Sequence, residues 1–198
     1  MCSAPDRLPT LHAMPDLANT PERYGSIAIV LHWAMAALII GLAGSGLYMV
    51  QLPDVGFDTW KITVIVAHKA VGMLVLPAVA LRILWRWSNA LPRLVDGLPL
   101  WQQVIARFVH LCFYALMFAL PLTGWIMSSA GGYPLPFFGW FDLPDLVGFN
   151  EYRFGLFIAV HRWLSYAMLL LIALHAGAGL RHHLGLRDDT LRRMLPGA

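Results

Sequence analysis

Charge is what this sequence has least of. Asp, Glu, Lys and Arg make up 13% of its 198 residues, against 59% hydrophobic residues and a mean hydropathy of +0.63. So few charges cannot cover a water-soluble domain of this size, and the balance points to a small polytopic membrane protein. Cysteine is almost absent. Cys2 lies near the polar N-terminus and Cys112 inside an apolar stretch. That pair sets up no disulfide framework, and without C-x-x-C there is no sign of zinc or dithiol chemistry. The lack of C-x-x-C-H argues against a covalently attached c-type haem. Cys112 reads as a small core residue. There is no internal repeat, no glycine-rich nucleotide loop and no basic-aromatic surface for nucleic acid. Residues 1–24 contain no apolar run but carry Pro5, Asp6, Pro9, Pro15, Asp16, Pro21 and Glu22. They do not form a cleavable signal peptide, and a flexible cytoplasmic arm over 1–24 is expected.

Four apolar segments reach the roughly 20 residues of helix needed to cross a ~30 Å hydrocarbon core. They run from Ile27 to Val50, Ile62 to Trp85, Ile105 to Ser129 and Phe154 to Leu180. The predicted fold is all-α: a four-helix transmembrane bundle over residues 25–185, followed by a cytoplasmic tail, 186–198. Pro77 and Pro121 fall inside two spans, where neighbouring helices absorb such breaks as kinks. Gly41, Gly44 and Gly46 allow close approach in the first span. The Gly131–Asn150 loop reads as a compact cap over the outer helix ends.

Arginine sets the orientation. Arg82, Arg86, Arg93 and Arg107 flank the second connection, and Arg181, Arg187, Arg192 and Arg193 lie in the tail. The other connections carry Asp54 and Asp58, and Asp142, Asp145 and Glu151. The positive-inside rule then puts both termini in the cytoplasm. Trp60, Tyr133, Trp140, Trp85 and Trp87 fall near the expected interfaces.

Against this apolar background, His32, His68, His161 and His175 stand out. Ligating or ionisable side chains are costly in a bilayer, so a repeated set marks a functional site. With the spans alternating in direction, His32 and His175 share the inner depth and His68 and His161 the outer. His161 and His175 are 14 residues apart, about 3.9 turns and about 21 Å on nearly one helix face. Two stacked b-type haems, each held by two imidazoles on iron, match that pattern. A single buried histidine is ordinarily just bonded to backbone; four at matched depths are not ordinary. Zinc is the weaker alternative, because a structural site gathers four ligands together. Gly46, Gly72, Gly124 and Gly177 leave room for a flat porphyrin.

The other histidines are more open. His110, near the inner pair, could ligate, bond a propionate or help a quinone. His182 and His183 follow the last span, either as a solvated interfacial pair or for proton transfer to a quinone headgroup. Imidazole is the side-chain type suited to that transfer. His12 lies in the arm with no role assigned. Lys69 and Arg162, each next to a histidine, could neutralise propionates or draw in an anion, or could simply snorkel to headgroups. Arg82 and Arg86 could serve the inner propionates or anchor the helix.

The order of motifs resembles the bacterial cytochrome b561 family. Arg23-Tyr24, Leu31-His32-Trp33, His68-Lys69-Ala70-Val71-Gly72 and Leu84-Trp85-Arg86 carry it in the first half. His110 with Tyr114, Pro121-Leu122-Thr123-Gly124-Trp125, Met127-Ser128-Ser129, His175 and His182-His183 follow. The stretch Arg187-Asp188-Asp189-Thr190-Leu191-Arg192-Arg193-Met194-Leu195-Pro196 closes the match. The resemblance covers about Arg23 to Pro196 and implies a four-helix bundle with two b haems on His32, His68, His161 and His175. Some members are superoxide oxidases, which implies superoxide as outer electron donor, ubiquinone as acceptor and His182 at the quinone site. The long N-terminal arm departs from shorter members.

Two functions follow. The first is an oxidoreductase of the bacterial inner membrane that oxidises superoxide and reduces ubiquinone. For it, Lys61, Lys69, Arg153 and Arg162 supply outer positive charge, which Asp142, Asp145 and Glu151 oppose. The second is an electron-relay subunit joining quinone to a partner dehydrogenase or hydrogenase, docked through the Gly131–Asn150 loop. No catalytic residue can be named beyond these ligand and contact residues.

Overall fold

The computed structural model describes residues 17–53, 58–93 and 99–195. Cys2, His12, Asp54 and most of the predicted arm lie outside that range. The described residues form five α-helices: α1 (Ser26–Met49), α2 (Thr59–Met73), α3 (Val75–Ser88), α4 (Leu100–Ala130) and α5 (Glu151–Leu180). A two-strand hairpin, β1 (Pro136–Phe137) against β2 (Phe141–Asp142), interrupts the α4–α5 connection. Helices α2 and α3 together make one span, so four spans are long and apolar enough to cross a membrane. The predicted four-helix transmembrane bundle is the observed fold.

Local chemistry sets the helix ends. The Asp58 side chain accepts from the backbone of Trp60 and Lys61 and caps α2; Asn150 accepts from Arg153 and caps α5. The α2–α3 break at Leu74 follows from Pro77, which has no N–H to give the Met73 carbonyl and whose ring crowds it. Pro121, by contrast, stays inside an unbroken α4. The two prolines thus behave differently, one interrupting its helix and the other absorbed.

Most large apolar side chains face outward, as a bilayer permits. The buried core is a thin layer of Met35, Val75, Val79, Met117 and Met168, drawn from all four spans. Met168 stands seven residues from both His161 and His175, so this layer divides the bundle into two compartments. Methionine's flexible thioether fills such irregular space well.

The two ends differ. At the termini end, Arg93 N–H donates to Pro21 (2.8 Å), Asn19 Nδ2 to the Ala90 carbonyl (2.9 Å) and Arg193 to the Arg93 carbonyl (2.6 Å). Trp33 Nε1 donates to the Met194 carbonyl (2.7 Å). Residues 17–24 and the tail are therefore both tied to the bundle. At the opposite, hairpin end, Trp125 Nε1 holds Pro144, Ser129 Oγ accepts from Leu146 N–H, and Asn150 N–H reaches Ala130. The loop packs as a cap, as expected from its composition.

Candidate functional site: two histidine pairs

The compartment at the hairpin end holds His68 from α2 and His161 from α5, ring centroids 6.5 Å apart. Each is oriented by a hydroxyl. Ser45 Oγ lies 2.9 Å from His68 Nδ1, and Thr123 Oγ1 lies 3.1 Å from His161 Nδ1. Each hydroxyl also lies within hydrogen-bond reach of a carbonyl one turn back, Leu42 at 3.0 Å and Leu120 at 2.9 Å. With its proton on that carbonyl, each hydroxyl accepts from an Nδ1–H, the tautomer that leaves a lone pair on Nε2. Two glycines complete the cradle. A Cβ at Gly46 or Gly124 would stand 3.4 Å from Cε1 of His68 or His161.

The compartment at the termini end is more crowded. His32 and His175 lie 6.2 Å apart, with His110 5.6 Å and Phe113 5.3 Å from His175. His110 donates to the Ala106 carbonyl in its own helix. His32 is held by Arg82, whose Nη2 lies 3.0 Å from Nδ1.

An imidazole nitrogen bonds a first-row metal at about 2.0–2.1 Å, which puts the centroids of two trans imidazoles about 6 to 6.5 Å apart. The spacings within His68–His161 and His32–His175 have that value; His110–His175 falls short of it. The donor type, the paired spacing and the glycine cradle all suit iron in a flat macrocycle.

His182 lies two turns beyond His175, in a six-residue π-helical turn, Arg181–Leu186. Such turns are rare and concentrate at functional sites. Arg187 then adopts left-handed φ and ψ of 54° and 34°, donates to the His182 carbonyl and reverses the chain. The reversal brings Asp188 onto His182 Nδ1 at 2.5 Å. Asp188 also accepts from Thr190 N–H. Burial pushes the Asp188 carboxyl up, but hydrogen bonds from His182 and Thr190 outweigh it and hold the group at about 2. The carboxylate accepts from His182 Nδ1–H and fixes the orientation of the ring. Nearby, Trp85 Nε1, Gln102 Oε1, His183 Nδ1 and Thr190 Oγ1 are buried without a partner, all on elements at this end.

Lys69 is drawn under the hairpin loop, with Nζ 3.4 Å from the Pro134 carbonyl and 5.5 Å from the centre of the Tyr133 ring. Arg162 is exposed on α5. An apolar crevice of about 350 Å³ between α2 and the hairpin, lined by Ile62, Val66, Ala70 and Phe138, lies on the face of α2 away from His68 and belongs to neither pair.

Residues 23–197 match the family described as prokaryotic cytochrome b561. The chain belongs to that family. This cytochrome b561 is similar to cytochrome b561 homolog 2 of Escherichia coli (strain K12), 36% identical over 177 residues, or 89% of this chain and 93% of the relative. It is 28% identical to cytochrome b561 homolog 1 of the same strain over 175 residues, 88% of this chain and 98% of that one. The probable superoxide oxidase CybB of Yersinia pestis is 27% identical over 175 residues, 88% of this chain and 97% of the relative. Cytochromes b561 are electron-transfer proteins of the membrane and bind haem b.

Sequence reasoning missed the groups that orient the histidines. Ser45, Thr123, Asp188 and the Arg82–His32 contact become visible only once helices are packed. Thr123 and Asp188 did lie inside the family-like motifs, next to Gly124 and Arg187. Nothing in the sequence marked Ser45.

Proposed function

We propose that this cytochrome b561 holds two b haems, oxidises superoxide at the hairpin end and reduces ubiquinone at the termini end. The observation that carries it is the sorting of four histidines into two pairs spaced for an iron between imidazoles. His68 and His161 hold the outer haem and His32 and His175 the inner one. Haem held between those imidazoles would supply one-electron transfer. Two superoxide anions each give up one electron and leave as dioxygen. Those two electrons, with two protons, convert one ubiquinone to ubiquinol.

The side chains divide this work. Ser45 and Thr123 orient the outer ligands. Lys69 and Arg162 supply positive charge for the incoming anion. The hairpin end also carries Asp54, Asp58, Asp142, Asp145 and Glu151 against Lys61, Lys69, Arg153 and Arg162. Acidic residues outnumber basic ones there by one, so attraction is local to the lysine and arginine. At the termini end, Nε2 of His182 accepts from a quinone-derived hydroxyl or passes a proton, while Asp188 keeps the ring in place. The arginine-rich connection and tail put this end in the cytoplasm of a bacterial inner-membrane protein. In this division, 1–24 is the cytoplasmic arm, 25–185 the haem-holding bundle and 186–198 the tail.

Three features support the reading: the family's haem chemistry, the resemblance to a probable superoxide oxidase, and the His182–Asp188 pair at the inner end. The test is direct. A superoxide pulse should reduce the isolated protein without a partner, and added ubiquinone should reoxidise it. No reduction by superoxide, with rapid reduction by a quinol, would leave a second reading standing: a relay subunit for a dehydrogenase or hydrogenase. Trp140, Phe149 and Tyr152 favour that reading, being 75–80% exposed at the hairpin end where a partner would dock.

A further inference from the structure

Four separated parts of the chain meet at the termini end, and two arginines stand at the junction. Arg193 Nη1 donates to the Arg93 carbonyl at 2.6 Å, across 100 residues of sequence. Arg93 N–H donates to the Pro21 carbonyl at 2.8 Å, and Trp33 Nε1 to the Met194 carbonyl at 2.7 Å. The arm, α1, the α3–α4 connection and the tail are thereby joined. All three acceptors are neutral carbonyls, so neither guanidinium is neutralised. Among the described residues, Asp189 pairs with Arg192 and Asp188 with His182, while Arg93 and Arg193 have no carboxylate partner. Arg93 is exposed and Arg193 half-buried. Arg193 spends one N–H on Arg93, and a guanidinium has five. Gathering two unpaired cations at one junction is unfavourable until an anion offsets them.

The surroundings say which anion. Trp87 near the end of α3 is 80% exposed, and Leu100 and Trp101 at the start of α4 are 75% and 61% exposed. They flank Arg93 on both sides of one connection. Exposed indoles and leucine in that place belong at the level of lipid headgroups rather than in open water. A cation fixed at that level meets phosphate. The planar fork of arginine matches two oxygens of one phosphate, and arginine clusters just outside a span are suited to anionic lipids. We propose that Arg93 and Arg193 bind the headgroup phosphate of an anionic phospholipid, and that this lipid locks the tail onto the α3–α4 connection. A zwitterionic headgroup fits less well, because it brings its own cation to the same arginines. Neither arginine belongs to a histidine pair, so the site stands apart from the proposed electron path.

Native mass spectrometry of the purified holoprotein, with phosphatidylglycerol or phosphatidylcholine added, tests the site. The wild type should hold phosphatidylglycerol about tenfold more tightly than phosphatidylcholine, and equal retention of the two would overturn the proposal. Arg93→Gln should cost about tenfold in phosphatidylglycerol affinity, the equivalent of one charge-assisted hydrogen bond. Arg193→Gln should cost at least as much. Arg107→Gln, two turns into α4 at the same end, should change it by no more than about twofold, as for an isolated surface charge. Equal losses from Arg93→Gln and Arg107→Gln would mean diffuse attraction by the whole basic end and overturn the site. Displacement of the lipid by millimolar inorganic phosphate would make it a site for a soluble anion and overturn the lipid assignment. In nanodiscs, phosphatidylglycerol should slow amide exchange over Arg193–Leu195 relative to phosphatidylcholine, and Arg93→Gln should abolish that difference. Identical exchange in the two lipids would overturn the lock. Should Arg193→Gln not fold, Arg93→Gln carries the test, because it keeps the backbone groups that bond Pro21 and Arg193.

Discussion

The two histidine pairs are alike in spacing and unlike in support. At the hairpin end, hydroxyls face both Nδ1 atoms and also reach the Leu42 and Leu120 carbonyls. At the termini end, an arginine holds His32. A hydroxyl can donate or accept, whereas a guanidinium can only donate. The far nitrogens of one pair face hydroxyls, and one far nitrogen of the other pair faces a guanidinium. The lesson is that equal distances between imidazoles do not make equal sites; the partner on the far nitrogen decides.

The ligands themselves give the largest effect by which that comparison can be broken. Replacing His68 or His161 by alanine should lower haem content from about two per chain to about one, by loss of the outer haem, and replacing His32 or His175 should remove the inner one. Pyridine haemochrome per protein measures this. Full retention in two or more of the four variants would break the pairing. His110→Ala should keep both haems.

Next come the orienting hydroxyls. Ser45→Ala should weaken the outer haem by about 10–100-fold, the usual cost of losing a ligand's outer partner, and leave the inner haem untouched. Thr123→Val should cost less, because the Leu120 carbonyl is already within reach of His161 as a substitute acceptor. Competitive haem release monitored separately for the two haems would show it. Equal losses from both haems would erase the distinction between the sites.

A smaller and more local effect belongs to the inner end. His182→Ala should slow reoxidation by ubiquinone while leaving reduction by superoxide unchanged. Asp188→Asn should do the same more weakly, since the amide can still touch the ring but no longer fixes its proton. Stopped-flow traces of the two half-reactions separate these outcomes. A defect in the superoxide half-reaction would move the acceptor site elsewhere.

The smallest effect is a pH limb. The Asp188 carboxyl is held at about 2, below its ordinary 3.8. A depressed carboxyl stabilises the folded tail above its ordinary value, and that contribution is lost as pH falls from about 4 through 2. Hydrogen exchange over Arg187–Leu195 should accelerate across that window in the native chain and change less in Asp188→Asn. Identical profiles would show that the His182–Asp188 bond does not hold the tail.

Much of the architecture could be read in advance, because a bilayer imposes long apolar helices and makes a buried histidine conspicuous. The Ile62–Trp85 span and the depth pairing both came from length and position alone. The break at Leu74 did not, because a proline in a span is either absorbed or not according to what packs beside it, as Pro77 and Pro121 illustrate. The arm was read as flexible from its prolines. Residues 17–24 are nevertheless bonded to the α3–α4 connection, through partners about 70 residues away in the chain.

Composition and order along the chain by themselves determined that this protein crosses a membrane four times, and they set the depth of each histidine. Those properties depend on local hydropathy and on the fixed rise of a helix. Tertiary structure alone decided which hydroxyl faces which imidazole, that Arg82 reaches His32 fifty residues away, and that a left-handed Arg187 turns Asp188 back onto His182. Those contacts join groups from separate helices or opposite sides of a turn. They depend on crossing angles and side-chain rotamers, which no local pattern encodes.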